Sequence, residues 1–348
     1  MTEQSLEPEI VGEIDGQPVH AFRLAAGDTT LEVIDYGAIL TRLTRPDRDG
    51  AIADIVLGYD NPADYVSNPG NAGAICGRHS NRLENATFEM DGVRYQLTPN
   101  TPPHHIHGGA PGFGKRFWQG SFGADGNSIH MKLFSEDGDQ GYPGAMEIET
   151  IYRLNDNGDL TIEMTGTTDK PTIVNMVYHG YWNLAGHDSG DICEQLLQME
   201  ADHYTPVRPD KVPTGEILPV AGSAFDFTKA KPIGKDIANV WPGGGYDFNF
   251  CLRDSKEEIR PVARARDPES GRGFILSSNQ PGIQFYTANH YRDFPMIGKG
   301  GVTYNVYAGF ALETQVYPNG PNIEGFPSSR LDPGETHRHI MHFAFTNE

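Results

Sequence analysis

Cysteine is scarce in this 348-residue chain: Cys76, Cys193 and Cys251 are odd in number and far apart. That argues against a disulfide framework and a CxxC metal knuckle, and it predicts buried, inert thiols in a reducing compartment. The opening residues MTEQSLEPEIVGEIDG lack a basic start followed by an apolar run, so no signal peptide is expected. No stretch approaches the roughly 18 apolar residues of a membrane span. Together these absences predict a cytoplasmic protein with no membrane partner. Positive charge is also in deficit, with 27 Lys and Arg against 47 Asp and Glu, for a formal net charge of −20. Such a field repels nucleic acid and gives no steering to a phosphorylated substrate, so a small neutral substrate is the expected partner. GxSxG, P-loop and helix-opening GxGxxG motifs are missing too.

Long helical patterns are equally rare. What is there instead is glycine (41) and proline (25), spread through the chain between short alternating runs. Leu160–Met164, Ile340–Phe345 and the set Ile148, Thr150, Tyr152 and Leu154 read as half-buried strands. Turns are predicted at Asp125–Asn127, Asp137–Gly138 and Asn155–Asp159. Ile192–Ala201 has helix-friendly composition, but Leu197, Met199 and Ala201 alternate, and a strand is expected there. Many strands without intervening helices predict an all-β sandwich or barrel. No linker composition divides the chain, so residues 1–348 are expected to form one domain, with about the first 20 residues as a lead-in.

Titratable residues gather among glycines and aromatics in GRHSNRL (Gly77–Leu83) with HHIHGG (His104–Gly109), in VNMVYHGYWNLAG (Val174–Gly186), in GGGYDFNF (Gly243–Phe250) and in GFALETQVYPNGPNIEGFPS (Gly309–Ser328). Taken singly, each admits a bland reading. His105 and His107 could share a strand face as metal ligands, but no carboxylate follows them, and no metal is expected. His179 could be a satisfied core histidine, and Asp247 could cap a turn. Glu313 follows the apolar run Phe310-Ala311-Leu312, and Gln315 and Tyr317 continue its face with polar groups, which favours a pocket. Trp118, Trp182 and Trp241 could floor a sugar site or fill the core.

In order and spacing, these segments resemble the aldose 1-epimerase (galactose mutarotase) family. YGAILTRLTRPDRDG, DGDQGYPG, ADHYTPV, PTGEILPVAGSAFDF, PGIQFYTAN and FPSSRLDPGE extend the resemblance from about residue 20 to the C-terminus. It implies a large antiparallel β-supersandwich with an open sugar-binding cleft. It also implies that Glu313 is the catalytic base, His179 the catalytic acid and His107 a second active-site histidine. Asn81, Arg82, Asp247 and Gln284 match substrate-contacting positions, and Tyr181 is expected beside the site. The implied reaction interconverts the α and β anomers of a free aldose such as galactose or glucose. It needs one acid and one base and no cofactor, in a monomer or homodimer.

The same chemistry predicts a bell-shaped pH profile, with a carboxylate on the acid limb and an imidazolium on the alkaline limb. The sequence departs from the family at Tyr178, Gly180 and Phe248, and at His104 and His105, positions expected to ring the pocket and set sugar preference. Two alternatives stay open. A hexose-6-phosphate epimerase of the same fold would draw cations from Arg42, Lys115, Arg116 or Arg292. A non-catalytic sugar-binding sandwich would more naturally have lost the acid or the base. A glycosidase would need two carboxylates flanking the bond.

Overall fold

The computed structural model describes residues 6–240, 244–254 and 258–348. Trp241 and Gly243 lie outside the described residues. Strands dominate, and the only helical segments among the described residues are single turns of 3-10 helix. Among them no helix is long and apolar enough to cross a membrane.

A nine-stranded antiparallel sheet forms the backbone of the fold. It runs in the order Gln119–Phe122, Ser128–Ser135, Met146–Leu154, Leu160–Thr168, His337–Asn347, Arg272–Ser278, Arg260–Arg266, Leu196–Met199 and Lys231–Pro232. The alternation expected at Leu160 and Ile340 is met by direct pairing, with Leu160 opposite Phe343 and Ile162 opposite Met341. Ile148, Thr150, Tyr152 and Leu154 are all buried, and the Asp125–Asn127 and Asn155–Asp159 turns close hairpins. Asp137–Gly138 instead sits in a longer connection between Ser135 and Met146. The Ile192–Ala201 expectation holds only in part. Ile192–Gln195 is a turn, the strand is Leu196–Met199, and Ala201 opens a strand of another sheet.

A five-stranded meander, Glu9–Ile14 to Ile52–Asp54, packs at the N-terminal side and draws the lead-in into a sheet. A second five-stranded sheet runs Leu218–Pro219, Ala201–Thr205, Asp247–Leu252, Gly282–Tyr286 and Ala311–Gln315. Its period-two alternation separates two environments. Phe248, Phe250, Phe285 and Leu312 enter the core, whereas Asp247, Gln284, Tyr286 and Glu313 face a cleft. Trp118 and Trp182 belong to the core, Trp182 packing on Phe343 with ring centroids 4.8 Å apart, so neither floors the cleft. Cys76 is buried; Cys193 and Cys251 are partly exposed, and all three are free.

Candidate active site

The ladder of the second sheet builds one wall of the site. Gln284 lies directly opposite Glu313 on one side and Asn249 on the other. Asp247, two residues before Asn249, shares the same face. Gln284 Nε2 donates to Asp247 Oδ1 at 2.8 Å, and its Oε1 accepts from Gln315 Nε2 at 3.2 Å. The amide is therefore held from both ends. Lys211 Nζ reaches over from a loop and donates to Asp247 Oδ2 at 2.8 Å. Burial raises the Asp247 pKa, but Lys211, Arg82 and these hydrogen bonds outweigh it and hold the carboxyl below its usual range.

The opposite wall comes from short pairings. Arg82–Leu83 pairs with His105–Ile106, and Val177–His179 pairs with Ala74–Cys76. His107 then turns into the left-handed region, with φ of 50°. The following Gly108 is obligatory, because a Cβ there would lie 1.6 Å from the Gly77 carbonyl oxygen. The turn aims His107 at the cleft and away from His105. His105 is fixed elsewhere, its Nδ1 on the Thr98 carbonyl at 2.7 Å and its Nε2 accepting from the Tyr142 hydroxyl at 2.8 Å. The shared-face metal pair is thus not formed. Among the described residues, no group of three or more His, Cys, Asp or Glu side chains is arranged to hold a metal ion.

The walls enclose a cavity of about 310 Å³, and all eight site residues expected from the sequence line it: Asn81, Arg82, His107, His179, Tyr181, Asp247, Gln284 and Glu313. At its floor, His179 Nε2 lies 3.5 Å from Glu313 Oε1, with both side chains almost fully buried. Among the described residues, Glu313 Oε2 and His179 Nδ1 have no hydrogen-bond partner. Burial first, then the Asp247 charge, pushes the Glu313 carboxyl well above its usual range. Burial also pushes His179 down to about 4, and burial with the neighbouring His179 pushes His107 well down. The expected histidine cation is therefore opposed by its surroundings, because desolvation outweighs the nearby carboxylates. His107 meets the His179 ring edge-on at 5.2 Å, and its Nδ1 accepts from the Asn81 backbone N–H at 3.4 Å. A neutral His107 then carries its proton on Nε2. Tyr181 lies tilted against His179, with ring centroids 5.1 Å apart, and spends its hydroxyl on the Gly70 carbonyl at 2.9 Å. The Arg82 guanidinium makes no hydrogen bond among the described residues.

Three departures prove to face the core, correcting the expectation that they ring the pocket. Tyr178 packs on Trp182, and its ring folds over residue 180, where a Cβ would lie 2.3 Å from it. Tyr178 and Gly180 are thus one coupled change. Phe248 packs on Phe225 and Tyr204. His104 accepts from the Asn85 N–H at 3.1 Å, away from the cavity. Lys211, Tyr286, His290 and Phe294 also line the cavity and escaped the sequence reading. Tyr286 was findable, since it lies two residues beyond Gln284 on the same strand face. His290 accepts at Nδ1 from the Tyr286 hydroxyl at 2.7 Å, a contact no local pattern signals.

A carboxylate and an imidazole in contact at the floor of a small polar cleft, on an all-β sandwich, are equipped for acid/base chemistry on a small polar substrate. The chain belongs to the aldose 1-epimerase family, whose sequence model matches residues 20–344. It is 38% identical to the galactose mutarotase of Sus scrofa over 94% of both chains. It is 33% identical to the aldose 1-epimerase of Escherichia coli K12, over 96% of this chain and 97% of that one. Among solved structures, the aldose epimerase homologue from C. elegans superposes with a TM-score of 0.88 at 29% identity, covering 94% of this chain and 99% of the other.

Proposed function

We propose that the protein interconverts the α and β anomers of a free neutral aldose, galactose or glucose, with Glu313 as base and His179 as acid. The observation that carries this is their 3.5 Å contact at the buried floor of the cavity, each keeping one atom unpartnered among the described residues. Glu313 takes the proton of the anomeric hydroxyl, the O1 electron pair forms the C=O bond, and the C1–O5 bond breaks. O5 takes its proton from His179. Rotation about C1–C2 presents the other face of the aldehyde, and reclosure reverses both transfers.

Burial favours the uncharged form of each group. Ring opening converts carboxylate and imidazolium into carboxylic acid and imidazole, so the surroundings assist that step. Both shifts also widen the range in which the pair shares a single proton, and the pH profile belongs to the pair. The rate then falls on the acid side as the pair takes a second proton, near the His179 value of about 4, and on the alkaline side as the pair loses its single proton.

His107 donates from Nε2 beside the ring oxygen. Arg82, Asp247 and Gln284 hold the C2–C4 hydroxyls, where hydrogen bonds to charged groups are the stronger kind. The hexose-6-phosphate alternative finds little support in the cations named for it. Arg116 is paired with Asp139 and Arg292 is on the Tyr307 hydroxyl; neither lines the cavity. A cytoplasmic location suits the free cysteines.

Polarimetry of freshly dissolved α-galactose and α-glucose tests the activity. Glu313→Gln should abolish turnover with an unchanged circular dichroism spectrum. Retention of more than about a tenth of the wild-type rate would rule out the base, given the usual size of such effects.

A further inference from the structure

Tyr286 and His290 both line the cavity, and the proposed chemistry gives neither a task. Tyr286 stands directly opposite Asp247 in the ladder. Its ring centroid lies 6.1 Å from that of Tyr181, which in turn lies 5.1 Å from that of His179. One aromatic wall therefore runs from the proposed acid to the ladder. Tyr181 is fixed within it by its hydroxyl on the Gly70 carbonyl. The sheet fixes only the backbone of Tyr286, the last residue of its strand.

The ring of Tyr286 is held by the next turn of the chain. Ala288 takes a left-handed φ of 51°, and the single 3-10 turn Asn289–Arg292 folds residue 290 back. The His290 backbone N–H donates to the Tyr286 hydroxyl at 3.0 Å, and Nδ1 accepts from that hydroxyl at 2.7 Å. The two rings are almost parallel, 17° apart. Burial first, then the Lys211 charge, pushes His290 down to about 4, so near neutrality the ring is uncharged and able to accept. The phenol is thus gripped at its far end both as donor and as acceptor. The imidazole is itself wedged against Gly70, where a Cβ would lie 2.6 Å from His290 Nε2 and 3.1 Å from the Tyr181 hydroxyl oxygen. The missing side chain at residue 70 makes room for both ends of the wall.

We propose that His290 is a positioning residue for sugar binding, which locks the Tyr286 ring in advance as a wall against the C–H face of the aldose. The proposal rests on the function proposed for this cavity. Aromatic surface with a few fixed polar groups is what a sugar ring requires. A ring locked before the sugar arrives need not be ordered on binding, whereas a loose one must be, at a cost to affinity. In this arrangement the wall meets the sugar equally before and during ring opening, so the effect falls on KM and not on kcat.

The test is a double-variant cycle. Turnover of glucose and galactose is followed by polarimetry. Binding is read separately by calorimetric titration of the anhydro-alditol of galactose, which lacks the anomeric hydroxyl and cannot open. His290→Leu removes the acceptor and should raise KM, and the Kd of the anhydro-alditol, about three- to tenfold, with kcat within about twofold of wild type. Tyr286→Phe should do the same. The double variant should be no worse than Tyr286→Phe alone, because His290 acts only through the hydroxyl. His290→Asn, whose side-chain carbonyl stands close to the place of Nδ1, should bring KM back to within about twofold of wild type. Gly70→Ala pushes the imidazole off the phenol from the other side and repeats the test should His290→Leu not fold. An unchanged KM in His290→Leu, a loss in kcat instead, effects that multiply in the double variant, or no rescue by His290→Asn would overturn the role. If the wild type turns over neither glucose nor galactose, the function proposed for the cavity fails first; normal turnover with variants that bind as well as the wild type fails the positioning role alone.

Discussion

The two walls of the cleft are built by different means. On the sheet wall, Asp247, Gln284 and Glu313 stand on neighbouring strands, and ladder register alone brings them together. On the loop wall, Arg82 and His179 come from pairings of two or three residues, and His107 from the turn that follows one of them. Backbone there is in the left-handed region at Asn71, Asn81, His107 and Gly108. A ladder places side chains by repeated hydrogen bonds that tolerate small changes. A turn places them by close backbone contact that tolerates none. The proposed chemistry straddles the two, with the base on the sheet and the acid on the loop side.

The largest effect should come from removing the loop-side acid. His179→Asn is expected to lose roughly 10²–10⁴ in kcat, the usual range for one positioned proton transfer. His107→Asn, which removes a neutral donor, should lose less in kcat and also raise KM. Stopped-flow polarimetry distinguishes them. A near-wild-type rate for His179→Asn beside an inactive His107→Asn would exchange their roles.

Next in size is a backbone test of the contrast itself. Gly108→Ala drives a Cβ to 1.6 Å from the Gly77 carbonyl oxygen, and residue 108 has a φ of 79°. Backbone must move, so the variant should lose about 3 kcal/mol or more in urea unfolding, the range of strained or overpacked sites. On the sheet wall, a Cβ at Gly282 would meet only side-chain atoms, Asn249 Oδ1 at 2.6 Å and the Tyr317 ring at 2.9 Å. Those can shift, and Gly282→Ala should lose only about 1 kcal/mol. Equal losses would show that the walls do not differ in this way.

The same contrast explains what the sequence made legible. Strands with clean alternation, such as Met146–Leu154 and Leu160–Thr168, were readable because a two-residue period is local. The sheet wall was half readable: Glu313 and Gln315 stood out as polar residues in an apolar run, but which strand faced them was not written in either. The loop wall was readable only through family resemblance, since left-handed turns leave no periodic trace. Lys211 went unseen because it reaches Asp247 across the fold, and His290 because a single turn of 3-10 helix folds it back onto Tyr286. The coupling of Tyr178 to Gly180 was hidden for the opposite reason. Both lie in one short segment, but the ring's direction toward the core depends on Trp182 and its surroundings.

Acid should weaken both walls. His79 on the loop side is pushed down to about 3 by burial, and His339, behind the sheet wall on the Thr314 hydroxyl, likewise to about 3. His179 is pushed down to about 4. Below pH 6.5 the unfolded chain takes protons that the folded chain refuses, so stability falls as pH falls from 6.5 toward those values. Each histidine loses about 1.4 kcal/mol per pH unit over its own window. Glu313, with its raised value, acts in the opposite sense, its contribution being lost as pH rises. Asp35, also raised by burial, acts in the same sense as Glu313, but these two carboxyls oppose several histidines, so the unfolding midpoint should drop between pH 6.5 and 4. His79→Gln should flatten that slope; an unchanged slope would mean His79 does not titrate on unfolding.

The smallest effect concerns the residue that ties a loop to the sheet wall. Lys211 sits at a φ of 64° and donates to Asp247 from the loop, while Gln284 donates from the neighbouring strand. Burial raises the Asp247 pKa, and the Lys211 charge is the largest opposing influence. In Lys211→Met the carboxyl keeps the Gln284 amide and the Arg82 charge, so the wall should hold its shape and the fold its stability. What changes is the ease of keeping Asp247 ionised. Its pKa rises, and a protonated Asp247 accepts fewer sugar hydrogen bonds. In the proposed assignment Asp247 contacts the sugar equally before and during ring opening, so the loss falls on binding. KM should rise roughly tenfold with kcat almost unchanged. The sign with pH follows: the KM defect should deepen as pH falls through the raised Asp247 value and shrink as pH rises above it. A defect in kcat instead, or one independent of pH, would place Lys211 in direct contact with the reacting edge of the sugar.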